Sequence, residues 1–234
     1  MRALAIVHQP DAGPGVFAEA FAKRGDQLDS WEIAEGACPP ADPRTYDAVL
    51  TFGGAMNAHQ EEEHPWLRFE KDLLAQLLGQ GMPLMGVCLG AQLLAEAGGV
   101  TPRRASQPEI GWHDVEVTPE GAEDPLLAPL APRFTAFQWH SYEAPLPPAA
   151  TALARSPVCL QAYRIGDSAW GIQFHAEVSA PDAERWFDDY RSDPDAVRIG
   201  IDPEALRAQT RAAIGDWNRL GRELCGRFIK ATAR

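Results

Sequence analysis

A thiol becomes an acyl-transfer nucleophile when an imidazole can take its proton and a carboxylate holds that imidazole in place. Three residues of this chain have the types and settings for those parts. Cys88 stands in Gly86-Val87-Cys88-Leu89-Gly90, a glycine–x–nucleophile–x–glycine pattern suited to a sharp turn between a strand and a helix. The flanking glycines remove Cβ clashes that would block so tight a turn. A helix starting there would aim its free N–H groups and positive end at the thiol, favouring thiolate. His175 and Glu177 are two residues apart, so on an extended chain both side chains face the same way. Taken singly, the cysteine reads equally well as core and the His-x-Glu pair as an ordinary strand surface. Specificity comes from an elbow cysteine lying upstream of that pair within one sheet.

The elements that must position these groups are visible in the apolar pattern. Residues 4–7, 48–52 and 83–87 read as buried strands, and 169–174 as a last apolar strand ending at His175. Residues 16–23, 66–78 and 89–97 read as helices, each stopped by glycine. Strand and helix in alternation predict an α/β fold, an open and mostly parallel twisted sheet with helices on both faces. From about Arg103 to Gln173 short strand-like runs, such as Val115-Glu116-Val117 and 133–137, alternate with proline-rich turns, predicting an antiparallel or mixed addition to the parallel core. Ser179-Ala180-Pro181-Asp182 resembles a capping box, and Asp202-Pro203-Glu204 opens a long helix that could reach Ile229. Trp186, Phe187 and Tyr190, and likewise Trp217, Leu220, Leu224 and Phe228, read as apolar helix faces. A single domain over 1–234 is expected, with a core over 1–192 and a C-terminal helical extension over 193–234.

Composition excludes several functions. The chain has 234 residues, 45% of them apolar, enough for one substantial core. A net charge of −12 disfavours nucleic acid and anionic membranes as partners. The first residues lack a signal-peptide pattern, and no run approaches the ~18 apolar residues of a membrane helix, so a cytoplasmic location is expected. Cys38, Cys88, Cys159 and Cys225 are scattered, which argues against a disulfide framework or a cysteine zinc site. Glu61-Glu62-Glu63-His64 reads as a solvated loop rather than a metal cluster. No phosphate-binding glycine motif is present, and neither a metal nor a cofactor is expected.

With these residues in view, the chain resembles class I glutamine amidotransferases. Gly86-Val87-Cys88-Leu89-Gly90-Ala91-Gln92 is similar to their nucleophile segment, Gly171-Ile172-Gln173-Phe174-His175-Ala176-Glu177 to their histidine–glutamate segment, and Phe52-Gly53-Gly54-Ala55-Met56 to their oxyanion loop. Glu109-Ile110-Gly111-Trp112, Gln138-Trp139-His140-Ser141 and Pro65-Trp66-Leu67 bring the likeness closer to the amidotransferase portion of GMP synthase and its stand-alone relatives. Ala176 departs from the family, which usually has proline there. The resemblance implies a flavodoxin-like sheet and a Cys88–His175–Glu177 triad that cleaves the side-chain amide of glutamine. It implies an oxyanion hole from the N–H groups of Gly54 and Leu89, and substrate contacts from Gly53, Gln92, His140, Ser141 and Tyr142. It also implies a small-molecule substrate and a synthetase partner protein that would consume the ammonia. A hydrolase of another γ-glutamyl amide, or a binding protein that keeps only the fold, stand as alternatives.

Overall fold

The first strand shows how the sheet is built. Along β1 (Arg2–Val7), Ala3, Ala5 and Val7 face one core while Leu4 and Ile6 face the other. This is the period-two alternation of a strand buried on both sides. The computed structural model, which describes residues 1–232, continues with α1 (Gly15–Arg24), β2 (Gln27–Glu32), β3 (Ala48–Thr51), α2 (Trp66–Gly79), β4 (Leu84–Val87) and α3 (Leu89–Ala97). Then follow β5 (Arg103–Val117), α4 (Pro119–Glu123), β6 (Arg133–Glu143), β7 (Ala150–Arg155), β8 (Leu160–Ile165) and β9 (Ala169–Ile172). Helices α5 (Ala180–Asp188), α6 (Pro194–Ile199) and α7 (Pro203–Thr232) complete the chain.

The nine strands of the described residues form one sheet in the order β2-β1-β3-β4-β9-β8-β7-β5-β6. The first five are parallel, with the 2-1-3-4 crossover pattern of a doubly wound fold. From β8 onward neighbours are antiparallel, so the antiparallel strands extend the parallel sheet across the β8–β9 seam. Helices α2 and α3 cover one face, and α1, α5 and α7 the other. Trp217, Leu224, Cys225, Phe228 and Ile229 of α7 share a core with Phe17, Phe21 and Trp170. The C-terminal helix is therefore packed into the domain's main core.

Three features of the sheet differ from the sequence expectation. Strand β2, Gln27-Leu28-Asp29-Ser30-Trp31-Glu32, has no counterpart in the apolar pattern; it is a polar edge strand that buries only Trp31. Strands β5 and β6 run much further than their short apolar stretches, forming a long ribbon with a bulge between Arg104 and Glu109. The last strand ends at Ile172, so His175 and Glu177 lie beyond it in irregular backbone.

Candidate active site

The carboxyl ends of the four central parallel strands deliver, in turn, His8 after β1, Gly53-Gly54 after β3, Cys88 after β4 and His175 after β9. This is the edge where open α/β sheets place their ligands. Cys88 has φ 53° and ψ −110°, and is the one non-glycine with positive φ among the described residues. The elbow depends on its glycines: a Cβ on Gly86 would stand 2.5 Å from the carbonyl oxygen of Gly90, and one on Gly90 would stand 2.1 Å from that of Thr51. The Cys88 N–H donates to Ile172 O at 2.8 Å, which ties the elbow to β9.

His175 is held on every side. Its N–H donates to Phe137 O at 2.9 Å, its carbonyl accepts from Trp217 Nε1 at 2.8 Å, and Trp186 packs edge-on against the ring at 4.8 Å. Its Nδ1 donates to Glu177 Oε1 at 2.7 Å. That bond places the remaining ring nitrogen, Nε2, opposite the carboxylate; it is buried and has no hydrogen-bond partner among the described residues. Cys88 and His175 share one small space, since a Cβ on Gly53 would lie 3.7 Å from Cys88 Cβ and 3.1 Å from His175 Cε1. Burial alone would depress the His175 pKa, but the Glu177 carboxylate and the Cys88 sulfur override it and push it up to about 10.

A cavity of about 480 Å³ opens over these groups, within the range of small-molecule sites. Cys88, His175, Gly54, Leu89, Gln92, His140, Ser141 and Tyr142 all line it, whereas Glu177 stands behind His175 and Gly53 does not line it. The Gly54 and Leu89 N–H groups have no acceptor among the described residues, and so remain free to bind an anion. Residues 140–142 are the end of β6. Gln92 Nε2 donates to Tyr142 O at 3.0 Å and to Gln173 Oε1 at 3.2 Å, and His140 Nδ1 donates to Tyr142 O at 3.0 Å. The polar groups of Gln92 and His140 therefore brace the backbone of 140–142.

Glu109, His140 and Cys159 bring potential ligand atoms within 4.8 Å of one another. Glu109 Oε2 already accepts from Ser156 Oγ at 3.0 Å and Gln161 Nε2 at 2.8 Å, and lies 3.2 Å from His140 Nε2. Burial and the neighbouring Glu109 push the Cys159 thiol far up, keeping it protonated. Glu109 is thus satisfied by Ser156 and Gln161, whereas His140 Nε2 is buried and makes no hydrogen bond among the described residues.

Sequence reasoning assigns no site role to four residues that stand at it, His8, Glu70, Trp139 and Trp186. His8 follows a central strand, a position that could flag it; it pairs with Glu70 on α2 at 2.8 Å. Trp139 and Trp186 wall the cavity, although the apolar pattern assigns Trp186 only to a packed helix face.

The class-I glutamine amidotransferase family model matches residues 19–189. The glutamine amidotransferase-like protein YfeJ of Salmonella typhimurium is 29% identical over 188 residues, which is 79% of each chain. One of the subunits of the glutamine-hydrolysing GMP synthase of Sulfolobus acidocaldarius is 32% identical, over 58% of this chain and 69% of that one. A γ-glutamyl-L-1-hydroxyisopropylamide hydrolase from a Pseudomonas species is also 32% identical, over 61% of this chain and 54% of its own length. The crystal structure of a glutamine amidotransferase from Thermotoga maritima superposes with a TM-score of 0.88 at 30% identity, covering 98% of both chains. With the elbow, the sheet order and these matches agreeing, the chain belongs to the class I glutamine amidotransferase family.

Proposed function

We propose that the protein hydrolyses the side-chain amide of glutamine through a covalent thioester on Cys88, and passes the ammonia to an acceptor or partner protein. One observation carries this reading: the His175 ring, fixed by Glu177 at 2.7 Å, shares the space beside Gly53 with the strained Cys88. The Cys88 thiolate attacks the amide carbon and forms a C–S bond, and the carbonyl electrons move onto oxygen. The N–H groups of Gly54 and Leu89 take up that charge. As the oxyanion collapses the C–N bond breaks, and His175 Nε2–H gives its proton to the departing ammonia. The now neutral His175 takes a proton from water as the water attacks the thioester. The C–S bond breaks, releasing glutamate and returning the thiolate–imidazolium pair. Glu177 holds the ring and balances its charge throughout.

A second reading uses the same steps on a γ-glutamyl amide of a larger amine, with no partner protein. The cavity supports it, because Trp139, Trp186, Asp189, Asp193 and Asp195 line it together with Cys88, and these aromatic and acidic groups suit a larger amine. The Pseudomonas hydrolase, whose name is that of a γ-glutamyl amide hydrolase, is a relative of this kind.

Incubating the purified chain with glutamine and with γ-glutamyl amides of graded amine size, and measuring glutamate release, separates the two. Fastest turnover of glutamine supports the first and of a larger amide the second. No turnover of any of them, with Cys88 inert to a glutamine-like alkylating agent, would refute both.

A further inference from the structure

A buried ion pair that the mechanism above does not use touches the loop on which it depends. His8, 3% exposed, and Glu70, with no exposure, lie beneath Gly53-Gly54. His8 Nε2 is 2.8 Å from Glu70 Oε2 and His8 Nδ1 is 3.1 Å from Gly53 O. Glu70 Oε1 accepts from Thr51 Oγ1 at 2.6 Å, so both carboxylate oxygens are engaged. A carbonyl and a carboxylate only accept, so both ring nitrogens donate and His8 is an imidazolium. Burial opposes that charge, but the Glu70 carboxylate and the Gly53 carbonyl outweigh it and raise the His8 pKa. The ring is stacked on Trp66 at 5.0 Å and 15°, which fixes its plane.

We infer that His8 is a positioning residue: by clamping the Gly53 carbonyl it aims the Gly54 N–H into the cavity and so assembles the oxyanion hole. In a trans peptide the C=O and N–H point in opposite directions, so holding one sets the other. Two consecutive glycines offer little steric resistance to rotation of this peptide plane. Something outside the loop has to select one orientation, and a charged hydrogen bond from a rigid ring does so. The Gly54 N–H has no acceptor among the described residues, as a donor reserved for substrate requires. Glu70 lies on α2, so this helix supports the site from below. The inference rests on the proposed oxyanion role of Gly54.

The test compares two reactions of Cys88 in the full chain, followed by mass mapping of the Cys88 peptide. Acylation by p-nitrophenyl acetate passes through an oxyanion, whereas alkylation by iodoacetamide does not. In His8→Phe/Glu70→Leu, which removes both members of the buried pair together and keeps a ring over Trp66, acylation should slow about 100-fold while alkylation stays within about twofold. Glu70→Gln leaves the His8 Nδ1–H in place without its charge, and should lose at least about threefold in acylation but less than the double variant. Acylation within about threefold of wild type in a folded double variant, or equal loss of both reactions, would overturn the clamp. If the double variant does not fold, unchanged acylation in Glu70→Gln overturns it. A wild type that alkylates but is not acylated overturns it too. Neither reagent is a γ-glutamyl amide, so a wild type that shows the expected acylation pattern but hydrolyses no γ-glutamyl amide sinks the proposed function and leaves the clamp standing.

Discussion

The indole N–H of Trp217, on the C-terminal helix, donates to the carbonyl of His175 across 2.8 Å. Two neighbours reinforce that contact. Asn218 Nδ2 donates to Val178 O at 2.7 Å, and Gly221 lets α7 approach so closely that a Cβ there would stand 2.0 Å from Ala176 O. The segment carrying His175 and Glu177 is irregular backbone, without a strand ladder to fix it. Alanine at 176 adds no stiffness of its own. The helix α7 supplies it from outside.

Gly221 and Gly215 therefore predict opposite outcomes on one helix. Gly215→Ala meets nothing within 4 Å, and should raise stability by about 0.5–1 kcal/mol, the usual gain in a helix interior. Gly221→Ala must push α7 away from Ala176, so it should lower the melting temperature and cut turnover at least about tenfold by displacing the imidazole. Thermal unfolding and glutamate release on the two variants check this. Equal behaviour of the pair would mean that α7 does not seat on the 175–178 segment as described.

The Glu177 carboxylate predicts a pH effect. His175 is held at about 10, above its ordinary 6.5, so its imidazolium persists until the pH rises through the folded value. The stability it contributes is full below about 6.5 and is lost as the pH climbs towards 10. In Glu177→Gln the ring keeps a hydrogen-bond acceptor but loses the charge. The alkaline limb of kcat/KM should move to lower pH, and stability should begin to fall earlier as pH rises. Turnover near neutral pH should drop by about 10²-fold or more. Rate profiles and denaturant midpoints taken from near-neutral pH up through the folded pKa would show it, and an unmoved alkaline limb would contradict the role given to Glu177.

How much of this site is legible in the chain depends on whether its cause is local. Cys88 is legible because a nucleophile elbow requires glycines at fixed offsets, here Gly86 and Gly90, and the strand–helix switch around them follows from short-range periodicity. The parallel strands are legible because burial on both faces makes them continuously apolar. Strand β2 is not, since an edge strand with polar residues carries no such run. Nor is the full β5–β6 ribbon, where Gly111 at φ 99° and polar residues such as Glu109 and Gln138 interrupt the apolar pattern. Glu109 and Gln138 are buried, and they bond to Gln161 of β8 and, for Glu109, to Ser156 in the β7–β8 turn. His8 and Glu70 are 62 residues apart, so their pairing follows from the winding of β1 and α2 around the sheet; no motif announces it. His140 is only half legible: its place in a family segment puts it at the cavity, which it lines, but the bond from its Nδ1 to the Tyr142 carbonyl follows from no motif.

That bracing role gives Gln92 a definite signature. Its carboxamide holds Tyr142 O and Gln173 Oε1, so it joins α3 to the end of β6 and to the segment that follows β9. Gln92→Ala should leave the thiol chemistry intact but loosen the wall formed by 140–142. We expect KM to rise about tenfold or more, kcat to change less, and stability to fall by about 1–3 kcal/mol for the lost buried hydrogen bonds. Steady-state kinetics with an unfolding curve decide it; a large fall in kcat at constant KM would assign Gln92 to the transition state instead.

The strain at Cys88 makes a prediction about stability rather than rate. A side chain at φ 53° and ψ −110° lies where only glycine is comfortable, and such positions cost about 1–3 kcal/mol. Alanine keeps the Cβ and hence the strain, whereas glycine removes both. Cys88→Ala and Cys88→Gly should each abolish thioester formation and turnover, since neither has a nucleophile. They should differ in stability, with the glycine variant more stable than the alanine variant by about 1 kcal/mol or more, despite glycine's larger entropy loss on folding. Elsewhere in a protein the order is normally the reverse, so its sign is diagnostic. Finding alanine the more stable of the two would show that the elbow is relaxed, and that holding the sulfur over the cavity costs the fold nothing.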